Sequence, residues 1–156
     1  MGPAVSSIVL LVLLESLVGG SGLGIYSSMN VHFIVTDPAG RRTGYDPASR
    51  TVVREIPSSR YGEVYTGAAE AGGRSREFVA AFGSPDRLVD GPYTLGVFGE
   101  RAGPFWLSIS VYREPVSEDF NVRGTIRPGD LRAYRLNYAD DLSTPITIDT
   151  LAAGAR

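Results

Sequence analysis

Cysteine and lysine are both absent from this 156-residue chain, and histidine occurs once, at His32. Without cysteine the chain has no disulfide, no thiolate metal site and no cysteine nucleophile. A single histidine also excludes the usual zinc and copper sites, which combine several imidazole or thiolate ligands. Any Ser-His-Asp arrangement would have to use His32, and no G-x-S-x-G sequence accompanies it. We therefore predict that the protein is not an enzyme.

Basic charge is also scarce. The 15 basic residues, all arginine, are outnumbered by 17 acidic residues, which gives a net charge of -2 and an isoelectric point near 5.4. Nucleic-acid binders draw much of their affinity from an excess of basic residues. We therefore expect no nucleic-acid partner. The use of arginine without lysine is typical of a GC-rich coding sequence, and we assign it no function.

Long apolar runs are limited to one segment, Ile8–Val18, which reads IVLLVLLESLV. It is too short to cross a bilayer, which takes about 20 helical residues, but it fits the apolar region of a signal peptide. We predict that residues 1–24 form a signal peptide or a short hydrophobic anchor, and that the protein is extracytoplasmic, secreted or periplasmic. No basic residue precedes the run and Glu15 interrupts it, so a buried helix or strand of the domain remains the alternative.

Turn-forming residues are abundant, with 19 Gly and 10 Pro separating segments in which apolar and polar residues alternate. Alternation with a period of two is typical of strands with one buried face. Residues 58–76 show no sustained period, and we predict a loop there. Strands are predicted at 31–36, 51–56, 77–82, 93–97, 105–111, 120–127, 132–138 and 146–148.

These segments predict an all-β fold, an antiparallel β-sandwich of the immunoglobulin-like or jelly-roll-like kind with about 7–8 strands. The sandwich domain is placed at residues 25–139, and residues 140–156 form a C-terminal tail or an extra edge strand. Segments 93–97 and 105–111 are predicted to form a hairpin. His32, inside the first strand, is expected to be packed or hydrogen-bonded.

Two stretches resemble known modules. Residues 90–97 read DGPYTLGV and residues 105–109 read FWLSI, similar to the DGxYTLxVxG…YxLxI pattern of bacterial extracellular β-sandwich modules, including pre-peptidase C-terminal-like domains. Residues 36–47 read TDPAGRRTGYDP, which resembles the TDPxGRRTGxDP motif that opens accessory domains of secreted bacterial proteins. The resemblance implies a non-catalytic module, often attached to larger exported proteins, with no established active site.

Within the second motif, Asp37 and Asp46 leave two interpretations open. Gly40 and Gly44 allow a tight fold-back that would bring both carboxylates and nearby carbonyls to one calcium ion. Alternatively, each aspartate accepts hydrogen bonds from backbone N–H groups and nucleates its own turn. The second interpretation is simpler, because two carboxylates are few for calcium and the adjacent arginines repel a cation.

The aromatic residues Trp106 and Tyr112 are candidate ligand-binding residues, since exposed aromatic rings on a strand can stack on sugars. A packed or covering role is the alternative. We expect a structural or protein-interaction module whose partner is another protein or domain, with a cell-surface glycan as a further candidate. A calcium-stabilised carbohydrate- or cell-surface-binding module, using Asp37, Asp46 and these rings, is the competing hypothesis. An enzyme would require a pocket that gathers His32 or two carboxylates.

Overall fold

A computed structural model describes residues 20–65, 73–81 and 86–152. The predicted all-β sandwich is confirmed, because these residues form two antiparallel sheets of five and six strands. No helix among the described residues is long and apolar enough to span a membrane. The predicted signal or anchor run, Ile8–Val18, lies outside the described residues.

Eleven strands occur in the described residues, more than the seven or eight expected. Their bounds are β1 Ser21–Ser27, β2 Val31–Thr36, β3 Arg42–Asp46, β4 Thr51–Arg54, β5 Ser59–Tyr65, β6 Arg74–Ala80, β7 Gly91–Gly99, β8 Gly103–Arg113, β9 Val116–Ile126, β10 Leu131–Tyr138 and β11 Thr147–Leu151.

The chain passes repeatedly between the two sheets. The five-stranded sheet has the order β5-β6-β1-β8-β9, and the six-stranded sheet has the order β11-β10-β7-β2-β3-β4. Consecutive strands therefore change sheets after β1, β4, β6, β7 and β9. The core lies between the sheets and collects the alternate apolar residues of the central strands, among them Leu23, Ile25, Phe33, Leu95 and Leu107, all with no exposed surface.

The predicted hairpin of residues 93–97 and 105–111 is wrong. Strand β7 pairs with β2 and β10, whereas β8 pairs with β1 and β9 in the other sheet. Each of the two strands has one apolar face, and these faces meet across the core. Alternation identifies the buried face of a strand but not the sheet it joins. The turn at Gly129, where φ is 84°, likewise leads into the opposite sheet.

The predicted loop at residues 58–76 is wrong in its described part, because β5 and the start of β6 lie there. Tyr61 is the one residue of β5 that is buried. A strand with a single buried side chain has little apolar periodicity, which is why the pattern is not visible in the sequence. Strand β1 begins at Ser21, before the expected domain boundary at residue 25, and occupies the centre of the five-stranded sheet.

At one corner of the sandwich, the paired strands β2 and β3 separate from each other. Their pairing extends only from Ile34↔Gly44 to Thr36↔Arg42. Beyond Gly44, the backbone N–H of Phe33 instead donates to the hydroxyl of Tyr61 on β5 at 3.3 Å. The side chains of Thr43 and Ser59 hydrogen-bond at 2.8 Å across the same corner. The two sheets are therefore joined along their β3–β5 side.

The connection between β10 and β11 is held by Arg113, a buried residue at the end of β8. Its Nη1 lies 3.0 Å from the carbonyl oxygen of Ala139 and 2.8 Å from those of Asp141 and Thr144. Its Nη2 donates to Glu118 Oε1 at 3.3 Å. One guanidinium thus positions the irregular backbone of this connection, because it offers several donors in a fixed plane.

Candidate functional site

The two predicted ligand-binding aromatics lie on the outer face of the five-stranded sheet. Trp106 is 38% exposed and Tyr112 is half-buried on the same strand, β8. They are six residues apart, so at about 3.3 Å per residue their backbones are separated by about 20 Å. The structure therefore places both on one surface but does not bring them together into one stacking platform.

The predicted calcium ligands are each engaged in their own turn. Asp37 is buried, and its Oδ1 accepts hydrogen bonds from the N–H groups of Ala39 at 3.0 Å and Arg41 at 2.9 Å. Its Oδ2 accepts from Arg41 Nε at 2.8 Å. Asp46 Oδ1 accepts from the N–H of Ala48 at 3.0 Å, and this bond is the main cause of the lowered pKa of Asp46.

Strand β3 separates these two carboxylates. Asp37 pairs with Arg41 across the turn that precedes β3, through the bond from Asp37 N to Arg41 O at 2.9 Å, whereas Asp46 is the last residue of β3. Five strand residues span about 16 Å, but calcium binds oxygen at about 2.4 Å. The structure therefore does not bring Asp37 and Asp46 to one ion. No three His, Asp or Glu side chains in the described ranges cluster closely enough to hold a metal.

A cleft of about 240 Å³ opens near the Asp37 turn. It contains two carboxylates, Asp37 and Asp86, together with Arg41 and Arg87, and His32 does not line it. Arg41 is bonded to Asp37, Arg87 Nη2 lies 2.7 Å from Asp140 Oδ2, and Asp86 accepts from Ser58. Each of these four charged groups therefore has a polar partner, and the contacts link the loops that surround the cleft and brace the end of the sandwich.

A second polar cluster, the His32 cluster, consists of His32, Tyr61, Arg76 and Glu100. Arg76 Nη1 lies 2.7 and 2.8 Å from the two ring nitrogens of His32, and the Tyr61 hydroxyl lies 3.0 Å from Nδ1. Arg76 Nη2 donates to Glu100 Oε2 at 2.7 Å and to the Met29 carbonyl at 3.3 Å. The cluster therefore ties the β1–β2 and β7–β8 connections to β6.

Burial and charge determine the protonation of this cluster. Burial, reinforced by the Arg76 guanidinium, lowers the pKa of His32 to about 4. Burial likewise raises the pKa of Tyr61 to about 12. His32 is thus neutral at pH 7 and stacks on Tyr45, with ring centroids 4.0 Å apart. The expectation that His32 is packed and hydrogen-bonded is confirmed.

The sequence interpretation did not identify Arg76 and Glu100 as partners of His32. A usable signal exists for Arg76, because it occupies the same alternating face as Phe78 and Ala80 and is only 6% exposed. A charged residue in register with core residues predicts a buried partner. Glu100 carries no comparable signal, since it lies in an ordinary turn sequence and reaches the cluster only through the fold.

The most extended unpaired feature is the side of β9 that faces away from β8, which we call the β9 edge. β9 pairs with β8 over its full length, from Val116↔Arg113 to Ile126↔Gly103, and it is the last strand of its sheet in the described residues. Eleven paired residues make β8 and β9 the longest strands described. Proline and charged residues often block such edges; β9 contains no proline but carries the charged residues Glu118, Asp119 and Arg123.

The hydrogen bonds of β8 define which groups the β9 edge presents. Trp106 exchanges hydrogen bonds with Ser28, through Ser28 N to Trp106 O and Trp106 N to Ser28 Oγ, both at 3.2 Å, and Glu114 N donates to Gly20 O at 3.1 Å. Even-numbered residues of β8 therefore direct their backbone groups towards β1, because that direction alternates along a strand. Given the Trp106↔Arg123 register, odd-numbered residues of β9 direct their N–H and C=O groups outward.

No family model matches the chain, and neither a curated protein nor a solved structure matches it. The resemblance of residues 36–47, and of 90–97 with 105–109, to bacterial extracellular modules therefore stays a prediction.

Proposed function

We propose that the chain is a non-catalytic, extracytoplasmic β-sandwich module that acts by binding another protein along the β9 edge. The observation that carries the proposal is the outward direction of the backbone groups of β9 along a strand of eleven residues. An extended segment of a partner can add to such an edge as a further strand, with main-chain hydrogen bonds supplying affinity. The extracytoplasmic location rests on the apolar run at Ile8–Val18.

On the opposite side of the five-stranded sheet, the start of β5 is already engaged by other described residues. There β5 lies against β3 and β4, and Thr43, Ser59 and Ile56 are linked by hydrogen bonds across the corner. An added strand would have to displace these contacts. The β9 edge is therefore favoured as the binding side of this sheet.

Site-specific photocrosslinking in the cell that produces the protein tests the proposal. A photoreactive amino acid at Asn121, in the middle of the β9 edge, should give a discrete protein adduct. The matched control carries the same amino acid at Arg135, which is exposed on β10. Asn121→Pro removes an outward N–H, and with the probe moved to Arg123 it should abolish the adduct. Equal adducts from Asn121 and Arg135, or none from Asn121, would contradict the proposal.

Carbohydrate binding remains a second candidate because Trp106 is exposed and lies between polar residues. Its outward neighbours are Ser108 on β8 and Arg123 on β9. Trp106 is the only tryptophan of the chain, so its fluorescence reports on this surface alone. Titration with cell-wall oligosaccharides should change the emission if a sugar stacks on the ring. An unchanged emission at saturating sugar, with no heat in calorimetry, would remove this candidate.

Calcium binding can be tested separately from sugar binding. In the competing hypothesis, calcium would raise the melting temperature and a chelator would lower it, because a ligand that binds only the folded state stabilises it. Asp46→Asn should abolish that shift. A melting temperature that is the same in calcium and in chelator would exclude a stabilising calcium site.

A further inference from the structure

The residues of β9 are complementary to β9 itself when a second copy runs antiparallel to it. The strand reads VSEDFNVRGTI, and its central residue is Asn121. An axis of twofold symmetry through Asn121 would pair Asp119 of each copy with Arg123 of the other. The same axis would pair Phe120 with Val122. Opposite charges and apolar side chains placed directly opposite each other both stabilise a pair of antiparallel strands.

Side-chain directions agree with this pairing. Odd-numbered residues of β9 share the outer face with Trp106, whereas Phe120 and Val122 point inward and pack partly buried against the core. In the antiparallel pair, Asp119 and Arg123 would therefore meet on the outer face. Phe120 and Val122 would meet on the inner face and extend the core of one copy into the other.

Backbone directions agree as well. Asn121, Asp119 and Arg123 are odd-numbered and present their N–H and C=O groups outward, as the pairing requires of hydrogen-bonded partners. Centring the axis on Asp119 or on Arg123 instead would put like charges opposite each other. Near the C-terminal end of β9, the Thr125 carbonyl oxygen already accepts a hydrogen bond from Arg132 at 3.4 Å. The hydrogen bonds between the two copies are therefore centred on residues 119–123.

Within a single chain, the two charged side chains of this pairing remain available for an ion pair between copies. Arg123 makes no hydrogen bond or ion pair with any residue that the structure describes, and it is exposed. Asp119 accepts from Ser110 Oγ at 2.6 Å through Oδ1 only, which leaves Oδ2 for a guanidinium. Each copy thus offers one cation and one anion at mirrored positions about Asn121.

We propose that the β9 edge binds a second copy of this chain, so that two five-stranded sheets join into one continuous sheet across a twofold axis. This inference rests on the proposed function and names its partner. Twofold interfaces are self-complementary, as the sequence of β9 is about Asn121. Because a sheet edge buries little area, the dimer forms reversibly and its population depends on concentration.

Charge exchange across the axis provides the test, with sedimentation velocity of the intact protein over a range of concentrations. Wild type should change from monomer to dimer as concentration rises. Asp119→Arg and Arg123→Asp each place like charges opposite each other, and each should weaken dimerisation about tenfold or more. The double variant D119R/R123D restores opposite charges and should dimerise within about threefold of wild type.

Mixing the two single variants provides a second test of the dimer. One then offers two cations and the other two anions, so an equimolar mixture should form dimers that neither variant forms alone. Arg135→Asp, an exposed reversal on β10, is the matched control and should leave dimerisation unchanged. A wild type that stays monomeric up to about 1 mM, or single variants that dimerise like wild type, would overturn the inference.

The two proposals can fail separately. If wild type is monomeric but the Asn121 probe crosslinks to a different protein, the β9 edge binds a partner and the second copy is refuted. If wild type dimerises and the Asn121 adduct has twice the mass of the chain, both proposals are supported. If neither an adduct nor a dimer forms, both are refuted.

Discussion

Individual side chains hold much of the backbone outside the strands in place, and Arg113 is the clearest example. Its guanidinium is buried and serves three carbonyl oxygens of the β10–β11 connection. Partly buried carbonyl groups that lose their donors cost free energy, because water replaces the lost hydrogen bonds only in part. The same side chain forms an ion pair with Glu118, whose side chain is 35% exposed.

Arg113→Met should therefore lower the free energy of unfolding by about 3 kcal/mol, since it removes the donor to three carbonyl oxygens and the ion-pair partner of Glu118. Arg113→Lys should lower the free energy of unfolding by a smaller amount, because its ammonium group keeps the positive charge, although it lacks the planar set of donors. Urea denaturation measures both values. The control is Arg135→Met on exposed β10, expected within about 0.5 kcal/mol of wild type. An Arg113→Met variant as stable as wild type would show that the β10–β11 connection is held by other contacts.

His32 makes stability depend on pH. Burial and then the Arg76 charge lower its pKa to about 4 from an ordinary value of 6.5. Above pH 6.5 the ring is neutral in both the folded and unfolded states. Between 6.5 and 4 the unfolded state binds a proton that the folded state does not, so stability falls as the pH falls.

Lowering the pH from 7 to 5 should therefore reduce the free energy of unfolding by roughly 2 kcal/mol, because the unfolded state binds the His32 proton and the folded state does not. His32→Gln should flatten the dependence in this window, even if its stability at pH 7 is lower. His32 is the only histidine, and the pKa values of Asp46, Asp140 and Asp141 are lowered, so those carboxyls titrate below the window. Equal slopes for wild type and His32→Gln would contradict the assignment.

At the scale of elements, Gly44 decides how β3 leaves β2. Its φ is 137°, and an added Cβ would lie 2.4 Å from the Phe33 carbonyl oxygen and 2.6 Å from Ile34 Cα. Backbone atoms cannot move aside as the end of a flexible side chain can. This glycine therefore permits the close approach of the two strands at the point where their pairing ends.

Gly44→Ala should destabilise the fold by about 2 kcal/mol or more, because both the positive φ and the clash oppose the new side chain. Gly62→Ala in β5 is the matched control, since an added Cβ there meets nothing within 4 Å. That change should be neutral within about 0.5 kcal/mol. Thermal or urea unfolding of the two variants compares them directly, and equal losses of stability would refute the role given to Gly44.

Local patterns predicted elements well where one face is apolar and poorly where it is not. The alternation in residues 31–36 and 132–138 predicted β2 and β10 within a residue at each end. β5 was missed because it buries little besides Tyr61. The two aspartates of the TDPAGRRTGYDP motif form separate turns, as the simpler of the two interpretations expected, and the strand between them keeps them apart.

For the whole molecule, the repeated passage of the chain between sheets couples their stability. Neither sheet consists of one continuous stretch of chain, and β1, near the N-terminal end of the described residues, pairs with β6 and β8. Both sheets bury their apolar faces in a single core. Loss of either sheet would expose that core, so we expect one cooperative unfolding transition.

Native-state hydrogen exchange tests this cooperativity. Backbone amides of β1 in one sheet and of β7 in the other should exchange with the same free energy, equal within about 1 kcal/mol to that of global unfolding. Amides of the outer strands β4 and β11 should exchange at lower free energy. If all amides of one central strand exchanged well before those of the other, the two sheets would be separate cooperative units.

Local sequence patterns were enough to predict an all-β sandwich with a packed or hydrogen-bonded His32, because turn residues and the spacing of apolar side chains are local properties. The sheet that each strand joins, the contact of Arg76 and Glu100 with His32, and the open β9 edge of the five-stranded sheet became visible only in the three-dimensional structure. Strand pairing uses backbone groups that every residue shares, so it is selected by how all the apolar faces fit around one core.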